Sequence, residues 1–226
     1  MVLLLALSAL PGGCTGPPPT AGKASTPAAP ATDVAETRTR IVVLGDSLAA
    51  GLGLAEDEAF PAVAQAMLRA RGFEVEVVNA GVSGDTSAGG LSRVDWVLQQ
   101  RPDVLVVELG GNDALRGQPV GNIESNLHQI VRRGRAAGAA VILLGMDLPA
   151  NYGPDYAAAF ADIYPRIAAE EGVTLVPAFV REIGADQTLL QPDGLHPTAE
   201  GQRRLAERLL PTLTGVLEDV EPEPEE

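Results

Sequence analysis

From residue 40 onward the chain alternates between two spacings of apolar residues. Short continuous runs, mostly β-branched or aliphatic, occur at 41–44, 75–78, 104–108, 141–144 and 174–176. Between them, apolar residues recur at intervals of three and four over 58–71, 87–100, 123–137 and 155–171, with a last such stretch at 198–213. The first spacing predicts strands and the second amphipathic helices. Three of the helical stretches run into a glycine, Gly72, Gly138 or Gly172, the residue that best tolerates the left-handed turn ending a helix. Runs without polar alternation predict strands covered on both faces, which requires a parallel sheet with helices on each side. The expected fold is therefore α/β, and its ligands should gather at the carboxyl ends of the strands.

The flanks read differently. Residues 15–39 are rich in Pro, Thr, Ala and Ser and nearly devoid of large apolar side chains, the composition of an extended linker. Before it, a short apolar run from Val2 to Leu10 leads into Pro11-Gly12-Gly13-Cys14. The run falls short of the ~20 residues a spanning helix needs but suits the apolar stretch of a signal peptide. Small residues before a lone Cys resemble the bacterial lipoprotein cleavage box, although Pro11 stands where a Leu-like residue is usual. That resemblance implies export and lipidation at Cys14, with membrane attachment through it. At the other end, 215–226 reads as an acidic, disordered tail, so the organisation expected is an export segment (1–14), a linker (15–39), one folded domain (40–214) and a tail.

Composition narrows the partners. The 226 residues carry a formal charge of −14, and Lys and Arg together number 16 against 30 Asp and Glu. No basic cluster offers itself to phosphates, so a nucleic-acid partner is not expected. One Cys and two His make a poor metal-ligand set and permit no internal disulfide, so neither metal nor cofactor is expected. Oligomeric state is silent in the sequence.

Candidate chemistry concentrates at the predicted strand ends. Gly45-Asp46-Ser47-Leu48 follows the first strand, and a hydroxyl there becomes a useful nucleophile only with a base in hydrogen-bond reach. Asp193-Gly-Leu-His196 supplies one: an Asp three residues before a His can hold one imidazole nitrogen and leave the other free to take a proton. Gly84, after the second strand, can aim a backbone N–H at an anion, and Asn112, in Gly110-Gly111-Asn112-Asp113 after the third, can aim an amide at the same point. Asp46 and Asp113 read as braces of their turns. His128 reads as a surface residue of a polar helix, and Trp96 as an anchor of its helix to the core. The α/β-hydrolase elbow G-x-S-x-G is absent, because Ala49 stands at its second glycine.

Taken together, GDSL, a Gly-bearing turn, GGND and DGLHP resemble the SGNH (GDSL) hydrolase superfamily across residues 40 to 213. The similarity is greatest to its bacterial periplasmic branch of acyl-CoA thioesterases, arylesterases and lysophospholipases, through the segments starting at Leu44, Leu109, Leu148 and Ile163. The resemblance implies a flavodoxin-like three-layer α/β/α sandwich with a five-stranded parallel sheet. It implies a serine esterase with Ser47 as nucleophile, His196 as base, Asp193 orienting it, and the Ser47 N–H, Gly84 N–H and Asn112 side chain as oxyanion donors. In that branch the loop after GGND shifts on ligand binding, and Gly117 would permit this in 114–118. Leu48, Leu115, Leu148 and Pro149 are the candidates to contact an acyl chain. Two other readings stand beside this one: a carbohydrate O-deacetylase with the same triad, which would need a polar groove, and a non-catalytic surface lipoprotein that binds through the same fold.

Overall fold

The computed structural model describes residues 38–148 and 150–220. All five apolar runs are strands: β1 (Thr39–Gly45), β2 (Val75–Gly81), β3 (Val104–Glu108), β4 (Ala140–Leu144) and β5 (Thr174–Val176). They pair in parallel in the order β2-β1-β3-β4-β5. Pleating divides each run between two cores. Ile41, Val43, Val104, Val106 and Ile142 face α2 (Phe60–Arg69) and α8 (Ala199–Val220). Val42, Leu44, Leu105, Val107 and Leu143 face α3 (Ser87–Leu98), α5 (Val120–Ala136) and α6 (Pro154–Glu171). This is the three-layer sandwich expected. Gly72, Gly138 and Gly172 all have positive φ at the ends of their helices.

Three features differ from the expectation. The last helix does not stop near residue 213 but runs to Val220, so 215–220 belong to the folded domain and not to a disordered tail. Leu217 explains it: its complete burial is worth roughly 1.5–3 kcal/mol, more than the ~1 kcal/mol that Gly215 costs inside a helix. Second, β2 is an edge strand, buried at Val75 and only half-buried beyond it. Third, Trp96 is 59% exposed and anchors nothing; Val94 and Val97 carry the buried face of α3. Residues 1–37, which include Cys14, and 221–226 lie outside the described residues.

The chain runs from β1 out to β2 and then crosses back to place β3 on the opposite side of β1. That reversal opens a crevice between the carboxyl ends of β1 and β3, the position at which α/β sheets bind ligands. Short helices begin at both ends: α1 (Ser47–Ala50) after β1 and α4 (Gly111–Leu115) after β3.

Candidate active site

Ser47 is the first residue of α1, buried to 8% exposure at the crevice. Its Oγ lies 3.0 Å from His196 Nε2, and His196 Nδ1 lies 2.6 Å from Asp193 Oδ2. The Asp–His half of this chain of hydrogen bonds is built locally. Asp193 Oδ1 accepts the N–H groups of Leu195 (2.9 Å) and His196 (3.0 Å), and Gly194 takes the positive φ the turn requires. These bonds, the one from the imidazole first, hold the Asp193 carboxyl down at about 2. An ionised carboxylate only accepts, so Nδ1 carries the ring proton of the neutral imidazole and Nε2 is left to accept from the Ser47 hydroxyl.

Bringing His196 to Ser47 across 149 residues is the work of two glutamines that the sequence reading did not single out. Gln202, buried in α8, donates from Nε2 to Leu48 O (3.0 Å) and accepts the Phe60 N–H on Oε1 (2.9 Å). Gln191 donates to both Leu52 O (2.7 Å) and Pro197 O (2.9 Å), clamping the His196 loop to the turn after α1. Nothing in composition or spacing marks them, because their partners are backbone atoms, most of them far along the chain.

The first turn of α1 leaves its N–H groups unpaired within the helix, and each has a separate fate. The Leu48 N–H goes to Asp46 Oδ1 (3.0 Å) and the Ala49 N–H to Glu108 Oε2 (3.2 Å). Among the described residues the Ser47 N–H donates to no protein group, and neither does that of Gly84. Gly84 has φ +79°, a conformation an L side chain would strain. The amide of Asn112 donates one hydrogen to Asp46 Oδ2 (2.9 Å), which fixes its plane and leaves its second hydrogen available. Ser47, Gly84 and Asn112 line one cavity of about 760 Å³ with His196.

Braces surround this cradle. Arg93 ties the ends of β1 and β2 together, donating to Asp85 Oδ2 (2.8 Å), Ala80 O (2.7 Å) and Gly45 O (3.0 Å). Asp113 accepts both the N–H and the hydroxyl of Ser87 (2.7 Å each), pinning the start of α3. Asp46 braces a side chain as well as its own turn, and its burial raises its carboxyl above the usual range. Tyr164 OH donates to Leu109 O (3.0 Å) and holds the strand end that leads to Asn112. Glu108, the one carboxylate inside the third apolar run, is fully buried beneath α1.

The wall of the cavity is mostly aliphatic. Leu48, Leu115 and Leu148 line it, and Pro149 lies outside the described residues. Val180 and Ile183 also line it, Ile183 within α7 (Arg181–Ala185), a helix too short to show a period in the sequence. Residues 114–118 are tied down by the bonds from Tyr156 OH to Gln118 O (2.6 Å) and from Gln118 N–H to Asp113 O (3.0 Å). His128 is remote from the cavity. It is no plain surface residue, because its ring, 14% exposed, is flanked by Glu170 (3.0 Å) and Glu171 (3.2 Å) on α6.

A parallel α/β/α sandwich with a Ser-His-Asp chain at its switch point and unpaired N–H groups around the hydroxyl defines an ester-bond hydrolase of the serine type. The chain belongs to the GDSL-like lipase/acylhydrolase family, whose model matches residues 43–204. It is 45% identical over 178 residues to the esterase TesA of Pseudomonas aeruginosa, covering 78% of this chain and 89% of that protein. Thioesterase 1/protease 1/lysophospholipase L1 of Escherichia coli strain K12 is 41% identical over 168 residues, covering 74% of this chain and 79% of that one. A crystal structure of TesA superimposes with a TM-score of 0.76 at 44% identity, over 78% of this chain and 99% of the other.

Proposed function

We propose that the enzyme hydrolyses acyl esters and thioesters with an apolar acyl chain through an acyl-serine intermediate. One observation carries this reading: the Ser47 hydroxyl sits 3.0 Å from His196 Nε2 on the floor of an aliphatic cavity, beside N–H groups with no other partner among the described residues. Ser47 Oγ attacks the acyl carbon while its proton passes to His196 Nε2. The carbonyl oxygen, now negative, accepts from the Ser47 and Gly84 N–H groups and from Asn112, each donor worth roughly 2.7–4 kcal/mol when aimed at the developing charge. Collapse breaks the bond to the leaving alcohol or thiol, which takes the proton from His196. Water then adds to the acyl-serine with His196 again as base and Ser47 as the leaving group. Asp193 keeps the ring tautomer and stabilises the imidazolium.

The aliphatic wall of Leu48, Leu115, Leu148, Val180 and Ile183 favours a lipid or aryl acyl group over a sugar acetate, which would need hydrogen-bonding partners along the groove. The names of the thioesterase and lysophospholipase relative point the same way. A panel of p-nitrophenyl esters of graded length, run beside acyl-CoA and lysophosphatidylcholine, is the test. kcat/KM should rise from acetate toward medium chains, by roughly tenfold for each 1.4 kcal/mol of chain burial. Preference for acetate, or for acetylated sugars, would put the deacetylase reading in its place.

Export followed by lipidation at Cys14, with the stretch between Cys14 and β1 as tether, is proposed on the N-terminal sequence alone. Intact-mass measurement of the chain recovered from its native host should then give a protein starting at Cys14 with added acyl mass. A mature N-terminus elsewhere, or an unmodified Cys14, removes the anchor from the scheme.

A further inference from the structure

Glu108 is a buried ionisable group for which the hydrolytic scheme has no use. It closes β3 in register with Gly45, has no exposure to solvent, and receives the N–H groups of Asp46 (3.0 Å) and Ala49 (3.2 Å) on a single oxygen, Oε2. Its other oxygen, Oε1, is buried and has no hydrogen-bond partner among the described residues. The approach is possible only because residue 45 lacks a side chain: a Cβ there would stand 2.6 Å from Oε2 and 2.6 Å from the Ala49 Cβ. A carboxyl in an otherwise apolar strand, left half-satisfied and given room by a glycine, calls for a physical reason.

The N–H accounting of α1 supplies one. Two donors flanking Ser47 in sequence point down onto Glu108, and the Leu48 N–H is taken by Asp46, so the Ser47 N–H is the donor of that turn left facing the cavity. We propose that Glu108 is a positioning residue of the reaction, which seats the first turn of α1 from beneath so that the Ser47 N–H is aimed at the oxyanion. The inference rests on the assignment of that N–H to the oxyanion.

Its protonation state follows from its surroundings. The ionisable side chains around it are Asp46 at the head of α1 and Tyr164 from α6, while Arg93 from α3 is committed to Asp85 and to the Ala80 and Gly45 carbonyls. Asp46 has a donor on each of its oxygens, Leu48 N–H and the Asn112 amide; Glu108 has both of its donors on one. Burial first, and the Asp46 charge second, push the Glu108 carboxyl well above the usual carboxylate range. Of the two carboxyls, Glu108 is therefore the one biased further toward the protonated form, and its Oε2 accepts the two N–H groups. A second negative charge beneath α1 would oppose the charge that develops on the substrate oxygen above it.

The test uses full-length protein and p-nitrophenyl butyrate, with Glu108→Gln, Glu108→Leu and, as control, Ser47→Ala. Gln keeps a neutral carbonyl acceptor of the same shape, so Glu108→Gln should hold kcat within about threefold of wild type. Glu108→Leu strands both N–H groups, and kcat should fall ~10²-fold with KM nearly unchanged, the size of a lost oxyanion donor. A folded Glu108→Leu variant with normal kcat, or a Glu108→Gln variant as impaired as Glu108→Leu, overturns the proposal. Full turnover by Ser47→Ala would instead sink the site assignment on which it rests.

Discussion

Ser47→Ala is expected to lower kcat on p-nitrophenyl esters by ~10⁴–10⁶ and to leave the folded structure where it is. The hydroxyl makes one side-chain hydrogen bond, to His196 Nε2, and no packing contact depends on it. Its removal therefore leaves an imidazole nitrogen facing an open cavity, where solvent can satisfy it, and not a buried orphan. The backbone N–H of residue 47 survives the change, so the oxyanion cradle stays complete, and the residual rate should exceed that in water by the ~10³–10⁴ that binding and oxyanion contacts alone supply. Two measurements separate this from trivial inactivation. The melting temperature should move by no more than a few degrees, and the variant should no longer be labelled by an alkyl fluorophosphonate while still binding a non-reactive product acid. Near-full turnover by a folded Ser47→Ala protein would remove Ser47 from the mechanism.

What the sequence discloses and what it withholds divide along a physical line. Strands surrounded by helices must be apolar on both faces, so five runs between 41 and 176 announced a parallel sheet and its approximate boundaries. The chemistry was legible for a related reason: Asp193 and His196 are neighbours on one loop, and Ser47, Gly84 and Asn112 each stand at a predicted strand end. What holds these pieces together left no pattern. Gln202 bonds to a carbonyl within α1 and Gln191 to one just after it, and any segment has carbonyls to offer. Arg93 lies on a helix face where an arginine ordinarily meets solvent, yet its guanidinium stitches together the ends of β1 and β2. Trp96 misled for the opposite reason, since size and apolarity suggest burial while α3 has a buried face already filled by Val94 and Val97. The end of α8 was missed because Gly215 and the acidic run look like a terminus when read locally, and the burial of Leu217 is a tertiary effect.

Asp193→Asn should cost about 10⁴ in kcat, nearly as much as losing the nucleophile, although Asp193 touches neither substrate nor Ser47. The reason lies in which atoms of the carboxylate are committed. Oδ1 accepts two backbone N–H groups and must remain an acceptor, so an asparagine would keep its oxygen there and turn its NH₂ toward His196. Two N–H groups cannot face each other across 2.6 Å; the imidazole would respond by giving up its Nδ1 proton and carrying it on Nε2 instead. Nε2 would then be a donor facing the Ser47 hydroxyl, unable to take its proton. The loop itself should survive, because both backbone bonds to Oδ1 are retained, and Asp193→Asn should unfold at close to the wild-type temperature. Asp193→Ala loses those bonds too, and should combine a comparable loss in kcat with a loosened loop. The pH profile adds an independent reading. With the Asp193 carboxyl held at about 2, it stays ionised throughout the range in which the enzyme is assayed, so its own proton should not enter the acid limb of kcat/KM above pH 4, which should have a slope of one. A limb of slope two there, or an Asp193→Asn enzyme within tenfold of wild type, would show that the carboxylate does not set the tautomer and that the imidazole is oriented by some other group.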